Sequence, residues 1–204
     1  MEPNLILASA SPRRRQLLSE LGVSYEVRPA DVDETPMPGE SAPDHAARLA
    51  LAKARAVAGT VGSGLVLGAD TVVVLDGQIL GKPRSPDEAL RHVTRLRGRN
   101  HQVITAVALV DADGREWCDS ESTVVWIRDF GDDEARRYVE SGDPFDKAGA
   151  YAIQNEEFRP VSRLEGSRSN VVGLPLRLTA RLLAEAGVDV APAGATAAEG
   201  AEGA

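Results

Sequence analysis

Two serines and three consecutive arginines stand together near the start of the chain, where they could bind an anion. Residues 5–21 read LILASASPRRRQLLSEL, so this polar group lies between a short apolar run and a leucine-rich stretch. Ser11 is a good N-cap and Pro12 fits the first helical position, which places the arginines in the first turn of a helix. Free N–H groups, the Ser9 hydroxyl and guanidinium groups at a helix N-terminus are suited to a polyphosphate. A solvated basic turn is the alternative that this segment leaves open.

An acidic residue interrupts a long apolar strand. Asp70 stands inside residues 65–75, which are otherwise mostly apolar. An ionised carboxylate in such a place is costly unless it is paired or bound to a metal. The Asp76-Gly77 step predicts a tight hairpin, and its return arm brings Lys82 toward Asp70. The two side chains predict an acid–base site, and a purely structural ion pair is the alternative.

A lysine lies on the apolar side of the second predicted helix. The helix starts at Ser41, and Lys53 follows Leu49 by four residues, on the stripe formed by the helix's alanines and leucines. A lysine in an apolar stripe either extends to the surface or has a buried anionic partner. Both interpretations are open from this pattern alone.

Two further segments carry polar residues that could meet a ligand. Residues 30–40 read ADVDETPMPGE, an acidic loop that contains Glu34. Residues 146–154 read DKAGAYAIQ, in which Lys147 and Gln154 are the polar ends of a small, apolar run. Taken separately, the acidic loop is typical of a solvated surface and Gln154 of a surface amide.

The elements that must position these side chains predict an α/β fold. We expect a mixed, twisted central sheet with β-hairpins, flanked by helices. Strands are expected at 5–8, 25–28, 65–75, 78–80, 101–110 and 116–128, and the hairpins exclude a purely parallel sheet. A capping box at Ser85 and a cap at Asp132 predict two more helices, and Leu178, Leu182 and Leu183 predict a closing helix.

Composition excludes several classes of protein. The 204 residues carry a formal net charge of −8, which disfavours nucleic acid as the main partner, and a single cysteine, Cys118, which fits a reducing compartment. No apolar run is long enough to span a membrane and no signal peptide is apparent, so we expect a cytoplasmic protein. Residues 1–190 are expected to form one domain, and the Ala/Gly-rich residues 191–204 a disordered tail.

Four segments together carry a family resemblance. SASPRR, GADTVV followed by GKP, DKAGAYAIQ and NVVGLP occur in this order and spacing, and the chain thereby resembles the Maf family of nucleoside triphosphate pyrophosphatases. The resemblance implies a Maf/ITPase-like fold with a cleft between two lobes. It also implies hydrolysis of a nucleoside triphosphate to the monophosphate and pyrophosphate, with a divalent metal, Mg²⁺ or Mn²⁺. A homodimer is a further family expectation.

The resemblance also points to a subgroup. Arg13, Thr71 and Gln154 occupy the positions that are typical of dTTP/UTP pyrophosphatases rather than of 7-methyl-GTP pyrophosphatases. Three departures occur: Ala152 stands where the family often has glycine, Asn155 begins a segment that is usually a glycine-rich turn, and Ser167 begins one that is commonly Asp-aromatic. The first two lie beside the expected base pocket.

The roles that the resemblance implies can be assigned by residue number. Asp70, Lys82 and Lys53 are the expected catalytic residues, and Glu34 and Asp70 the expected metal ligands. The expected substrate-binding residues are Ser9, Arg13, Arg14, Thr71, Lys147 and Gln154. Two other functions remain open at this point: a non-catalytic nucleotide-binding regulator of cell division and septum formation, and a nucleotidyltransferase.

Overall fold

The computed structural model describes residues 5–190, and the predicted tail at 191–204 lies outside the described residues. The strands are β1 (Leu5–Leu7), β2 (Tyr25–Val27), β3 (Leu65–Leu75), β4 (Gln78–Leu80), β5 (Asn100–Asp111), β6 (Glu116–Ile127) and β7 (Val161–Glu165). The helices are α1 (Pro12–Glu20), α2 (Ala42–Ala58), α3 (Pro86–Leu96), α4 (Asp132–Glu140), α5 (Arg168–Val172) and α6 (Leu176–Glu185). Two short 3₁₀ turns, Asp143–Asp146 and Ala148–Ala150, follow α4.

The strands form one mixed sheet of seven strands. Its order is β2-β1-β3-β5-β6-β7, with β4 paired to β3. The β1 strand is parallel to both β2 and β3, whereas the hairpins β3–β4 and β5–β6 and the pairs β3–β5 and β6–β7 are antiparallel. The predicted mixed α/β fold is therefore confirmed.

One edge of β3 is divided between two partners. Residues 65–67 of β3 pair with β1, and residues 73–75 pair with β4 on the same side. Residues 68–72 lie between these two pairings, and on that side they have no strand partner within the described part of the chain. The gap opens the sheet at Asp70, at the point where β1 runs into the serine–arginine segment and β4 into Gly81-Lys82.

Helix α2 covers the sheet at this gap and lies very close to it. A Cβ atom added to Gly68 of β3 would stand 2.2 Å from the carbonyl oxygen of Ala50 and 2.8 Å from the nitrogen of Ala54, both on α2. Only a glycine allows the helix backbone to come so near to the strand. This close approach brings the side chains of α2 directly over the open stretch of β3.

Two groups of apolar side chains form most of the core. One lies between α1, α6 and the strands β1, β3 and β5; its fully buried members include Leu7, Leu18, Leu67, Leu109, Leu174 and Leu183. The other lies between α3, α4, the 3₁₀ turns and the β3–β4 hairpin; its buried members include Leu75, Leu96, Val125, Tyr138, Tyr151 and Phe158. These groups correspond to the two expected lobes.

Several local predictions can be compared with the structure. Ser11, Ser41 and Ser85 are N-caps whose side chains accept hydrogen bonds from backbone N–H groups, as expected. The cap predicted at Asp132 is wrong, because Gly131 is the N-cap of α4 and no side chain caps this helix. Strand β7 and helix α5 were not predicted. None of the helices in residues 5–190 has the length and apolar composition needed to cross a membrane.

Candidate active site

The gap in the sheet opens into a cleft with a volume of about 980 Å³. Every side chain that the sequence predicts for the site lines it. These residues are Ser9, Arg13, Arg14, Glu34, Lys53, Asp70, Thr71, Lys82, Lys147 and Gln154. They come from six separate segments of the chain, so the cleft is assembled by the fold rather than by one motif.

The serine–arginine segment forms a helix N-terminus as predicted. Ser11 accepts a hydrogen bond from the Arg14 backbone nitrogen at 3.4 Å, and Pro12 occupies the start of α1. The Ser9 hydroxyl is buried and accepts from the backbone nitrogen of Ser11 at 3.3 Å. The first turn of α1 therefore presents Arg13 and Arg14 to the cleft, whereas Arg15 is exposed and does not line it.

Arg14 is held by acceptors from three parts of the fold. Its Nε donates to the carbonyl oxygen of Gly173 at 2.8 Å, its Nη1 to Ser9 Oγ at 3.3 Å and its Nη2 to Thr71 Oγ1 at 3.1 Å. Burial lowers the pKa of Arg14 from its ordinary value, and Asp70 and Glu34 act in the opposite direction. The half-buried guanidinium is thus fixed in orientation and cationic at the floor of the cleft.

Lys53 joins two carboxylates in the cleft. Its Nζ lies 2.7 Å from Asp70 Oδ1 and 2.6 Å from Glu34 Oε1. Lys53 and Asp70 are each 8% exposed, whereas Glu34 is an exposed residue of the acidic loop. Of the two interpretations of Lys53, the structure supports the buried anionic partner.

The predicted pairing of Asp70 with Lys82 is wrong. Lys82 is exposed, and its Nζ is 3.7 Å from Glu34 Oε2, a looser contact than that of Lys53. The cause is the close approach of α2 at Gly68, which brings Lys53 onto Asp70 from above the sheet. Partial desolvation opposes ionisation of Glu34, but the hydrogen bond and charge of Lys53, with Lys82 and Arg14, lower its pKa below the ordinary value.

The pair of carboxylates fits a hard divalent cation. Glu34 and Asp70 each place an oxygen on the same ammonium group, so the two donors converge. Within residues 5–190 no cluster of three or more acidic, histidine or cysteine side chains could hold a metal ion by itself. Mg²⁺ is commonly bound by one or two carboxylates with waters and substrate phosphates. The donor set therefore fits a metal that arrives with a phosphate ligand.

Arg13 and Lys147 meet across the cleft at one carboxylate. Arg13 Nη1 is 3.1 Å from Asp146 Oδ2, and Lys147 Nζ is 2.7 Å from Asp146 Oδ1. Lys147 also lies 2.9 Å from Asp143 Oδ1. Both of these predicted substrate-binding cations are therefore paired with the protein's own acidic residues.

Gln154 lies on a short turn whose shape depends on Asn155. The Gln154 side chain is exposed and bonds to none of the residues described, so its amide is available to a ligand. Asn155 Nδ2 donates to Asp143 Oδ2 at 3.2 Å, and Asn155 Oδ1 accepts from the Phe158 nitrogen at 2.7 Å. Asn155, which departs from the family's usual glycine-rich sequence, therefore has a structural role: its side-chain hydrogen bonds hold the turn in shape.

A second group of site residues was missed in the sequence. Glu40 accepts from Arg48 Nε at 2.5 Å and lies 2.9 Å from His45 Nδ1, while Arg48 Nη2 donates to the Thr35 carbonyl at 3.1 Å. These contacts attach the acidic loop to α2 and so hold Glu34 over the cleft. His45 lies eight residues, about two helical turns, before Lys53, and Arg48 lies three residues after His45; this helical spacing was the available signal.

The fold is shared with a solved structure at low sequence identity. The solved structure of the Staphylococcus aureus Ham1 protein is 18% identical, with a TM-score of 0.51, and the match covers 89% of this chain and 98% of that one. At this identity the likeness shows an architecture, a mixed sheet with a cleft, and nothing about chemistry.

Sequence comparison is more specific. The family model described as Maf-like protein matches residues 4–186, and the chain belongs to this family. A dTTP/UTP pyrophosphatase from Anaeromyxobacter dehalogenans is 51% identical over 190 residues, covering 92% of this chain and 96% of that protein. A dTTP/UTP pyrophosphatase from Thermomicrobium roseum is 49% identical over 187 residues, covering 91% of this chain and 85% of that protein.

Proposed function

We propose that this protein hydrolyses nucleoside triphosphates, dTTP and UTP among them, to the nucleoside monophosphate and pyrophosphate. The observation that carries the proposal is the convergence of Lys53, Asp70 and Glu34 in the cleft that Arg14 also lines. A carboxylate that can activate water thereby lies in the same cleft as a cation suited to polyphosphate. Relatives of about half identity that carry the name dTTP/UTP pyrophosphatase support the substrate class.

Each group has a role in the proposed reaction. Asp70 orients or deprotonates the water that attacks the α-phosphorus, since it is the buried carboxylate of the cleft. Arg13, Arg14 and Lys82 bind phosphate oxygens, and Lys53 offsets negative charge that develops during bond cleavage. Ser9 and the amides of the α1 N-terminus hold the phosphate chain.

A divalent metal, Mg²⁺ or Mn²⁺, completes the proposed site. Glu34 and Asp70 would hold it, because their oxygens already converge on one positive charge. When bound, such an ion supplies Lewis-acid polarisation of phosphate oxygens and template geometry for the substrate. Lys53 Nζ lies between the two carboxylates, so it would move toward the phosphates when the metal takes that position.

Base selection is assigned to Arg13, Thr71 and Gln154. Gln154 has a free, exposed amide at the rim of the cleft, which suits a hydrogen bond to the edge of a pyrimidine. Lys147, on the same segment, is placed to contact phosphate once it leaves Asp146. The preference for dTTP and UTP rests on these positions and on the named relatives.

The test is a panel of nucleoside triphosphates with Mg²⁺, in which pyrophosphate and orthophosphate are measured separately. We expect pyrophosphate and monophosphate as primary products, with dTTP and UTP among the best substrates. Orthophosphate with a remaining diphosphate nucleotide would contradict the proposal. Tight nucleotide binding without turnover would instead favour the regulatory function in septum formation.

The setting of this activity is also proposed. Net charge −8 favours a small anionic ligand drawn in by the local cations over non-specific nucleic-acid binding. Cytoplasmic location, the absence of a membrane partner and a homodimer stay predictions, which fractionation and light scattering would test.

A further inference from the structure

A buried chain of hydrogen bonds leads from the cleft into the sheet. Arg14 Nη2 lies 3.1 Å from Thr71 Oγ1, Thr71 Oγ1 lies 3.0 Å from Thr105 Oγ1, and Thr105 Oγ1 lies 2.9 Å from the carbonyl oxygen of Asn170. Thr71 and Thr105 are directly opposite each other in the register of β3 and β5. Thr105 is fully buried, so it cannot touch a ligand itself.

The direction of each hydrogen bond in this chain follows from the number of available protons. A carbonyl oxygen only accepts, so the single hydroxyl proton of Thr105 goes to Asn170. Thr105 must therefore accept from Thr71, which leaves Thr71 with no proton of its own to spare. Thr71 consequently accepts from Arg14, and it presents a lone pair to the guanidinium in one fixed orientation.

This orientation determines which donors of Arg14 remain for a ligand. A guanidinium carries five N–H donors in a rigid, planar fork. Three of them are used by Gly173, Ser9 and Thr71. The described residues leave one N–H free on each terminal nitrogen, and such a pair can bind two oxygens of one phosphate.

We propose that Thr105 is a positioning residue that acts through Thr71 to hold Arg14 in the orientation that binds the substrate's phosphates. The ligand's identity rests on the proposed function, whereas the coupling between Thr105 and Arg14 does not. Helix α5 and the turn after it contribute to the same device, because the carbonyl of Asn170 orients Thr105 and that of Gly173 binds Arg14 directly. The NVVGLP segment, residues 170–175, thereby has the role of orienting Thr105 and Arg14 through its backbone carbonyls.

The first measurement is the affinity for inorganic tripolyphosphate, by calorimetry in the presence of EDTA. Thr105→Val keeps the shape and removes the hydroxyl, so Thr71 regains a free proton and can turn it toward Arg14. We expect about tenfold weaker binding, the size of a misdirected hydrogen bond to a charged group. Thr105→Ser keeps the hydroxyl and should bind within about threefold of the wild type, and KM for the triphosphate should follow these affinities.

The second measurement separates positioning from general damage. In an Arg14→Ala background, Thr105→Val should weaken tripolyphosphate binding no further, because its effect passes through Arg14. Thr179→Val is the matched control: Thr179 is equally buried and donates to the Pro175 carbonyl at 2.8 Å, but its hydrogen bond does not involve Arg14. It should leave the affinity unchanged.

The results that would overturn the proposal are definite. Wild-type affinity in Thr105→Val, or an equal loss in the presence and absence of Arg14, would exclude the positioning role. If Thr105→Val does not fold, Thr105→Ala replaces it. Its tripolyphosphate affinity is then measured with and without Arg14→Ala and judged by the same two results. Coupling between positions 105 and 14 in a protein that hydrolyses no triphosphate would contradict the proposed function and leave the inference intact.

Discussion

The ammonium group of Lys53 lies 2.7 Å from Asp70 Oδ1, and both residues are nearly buried. Lys53 is carried by α2 and Asp70 by β3, so this contact joins two elements at the floor of the cleft. A second carboxylate, Glu34, reaches the same ammonium at 2.6 Å. The active-site charges are therefore shared among three groups, and Lys53 keeps one anionic partner when either carboxylate is removed.

Asp70→Asn separates the chemical role of this carboxylate from its structural role. The amide cannot accept a proton and is a poor metal ligand, so turnover should fall by about 10²–10⁴-fold. The fold should survive because Glu34 still pairs with Lys53. Steady-state rates and a melting curve on the same sample check both statements. A stable, fully active variant would contradict the placement of the active site.

Lys53→Met leaves Asp70 and Glu34 without their shared cation. Because Asp70 is buried, we expect a loss of about 3–5 kcal/mol in the free energy of unfolding in EDTA at neutral pH. Mg²⁺ should recover part of this loss, since the carboxylates are then free to bind it. Denaturant titrations with and without Mg²⁺ provide the measurement. The matched control is Lys82→Met, an exposed lysine 3.7 Å from Glu34, which should cost under about 1 kcal/mol.

Gln154→Ala tests base recognition without disturbing the core, because this side chain is exposed and unbonded in the described structure. We expect kcat/KM for dTTP and UTP to fall by about tenfold relative to purine triphosphates, the effect of one lost specificity hydrogen bond. Glu157→Ala, an exposed neighbour outside the cleft lining, is the control. An equal fall for every triphosphate would show that Gln154 does not read the base.

His101 predicts a component of acid sensitivity that is independent of the active-site carboxylates. Burial lowers the pKa of His101 to about 4 from the ordinary 6.5. Below pH 6.5 the unfolded chain therefore binds a proton that the folded protein does not, and stability falls as the pH drops from 6.5 toward 4. Between pH 6.5 and pH 4, we expect His101 to reduce the free energy of unfolding by about 3 kcal/mol.

The His101→Gln variant measures this component by difference. Glutamine does not titrate, and it can still hydrogen-bond the Tyr151 hydroxyl, which lies 2.7 Å from His101 Nε2. Unfolding free energies between pH 7 and pH 4 should decline less steeply in the variant than in the wild type. Parallel curves would assign the acid sensitivity to other groups.

Local signals in the sequence predicted the helix starts and the main hairpin. Ser11 and Ser41 cap helices as their spacing indicated, and Asp76-Gly77 forms the tight turn that pairs Leu75 with Gln78. These features depend on a few neighbouring residues whose conformational preferences agree. Of the cleft residues, Lys53 and Asp70 were found because polar side chains are unusual in apolar surroundings, whereas Thr71 and Gln154 were found through the family resemblance.

Partners across the fold could not be predicted in the same way. Lys53 rather than Lys82 meets Asp70 because of a helix–strand distance that no local pattern encodes. Thr105 resembles any β-forming residue in a strand, and only the register with Thr71 shows its function in a hydrogen-bonded chain. Asn155 departs from the expected turn, and its contact with Asp143 becomes visible only when the two segments are brought together.

Gly68 shows how the packing of α2 on β3 restricts the substitutions that the chain can accept. Any side chain there would meet Ala50 and Ala54, lift α2 and carry Lys53 away from Asp70. In a random library selected for activity, position 68 should therefore return glycine alone. Gly62, where an added Cβ meets nothing within 4 Å, should accept many residues. A position without any side chain thus limits how this active site can diverge, although it takes no part in the chemistry.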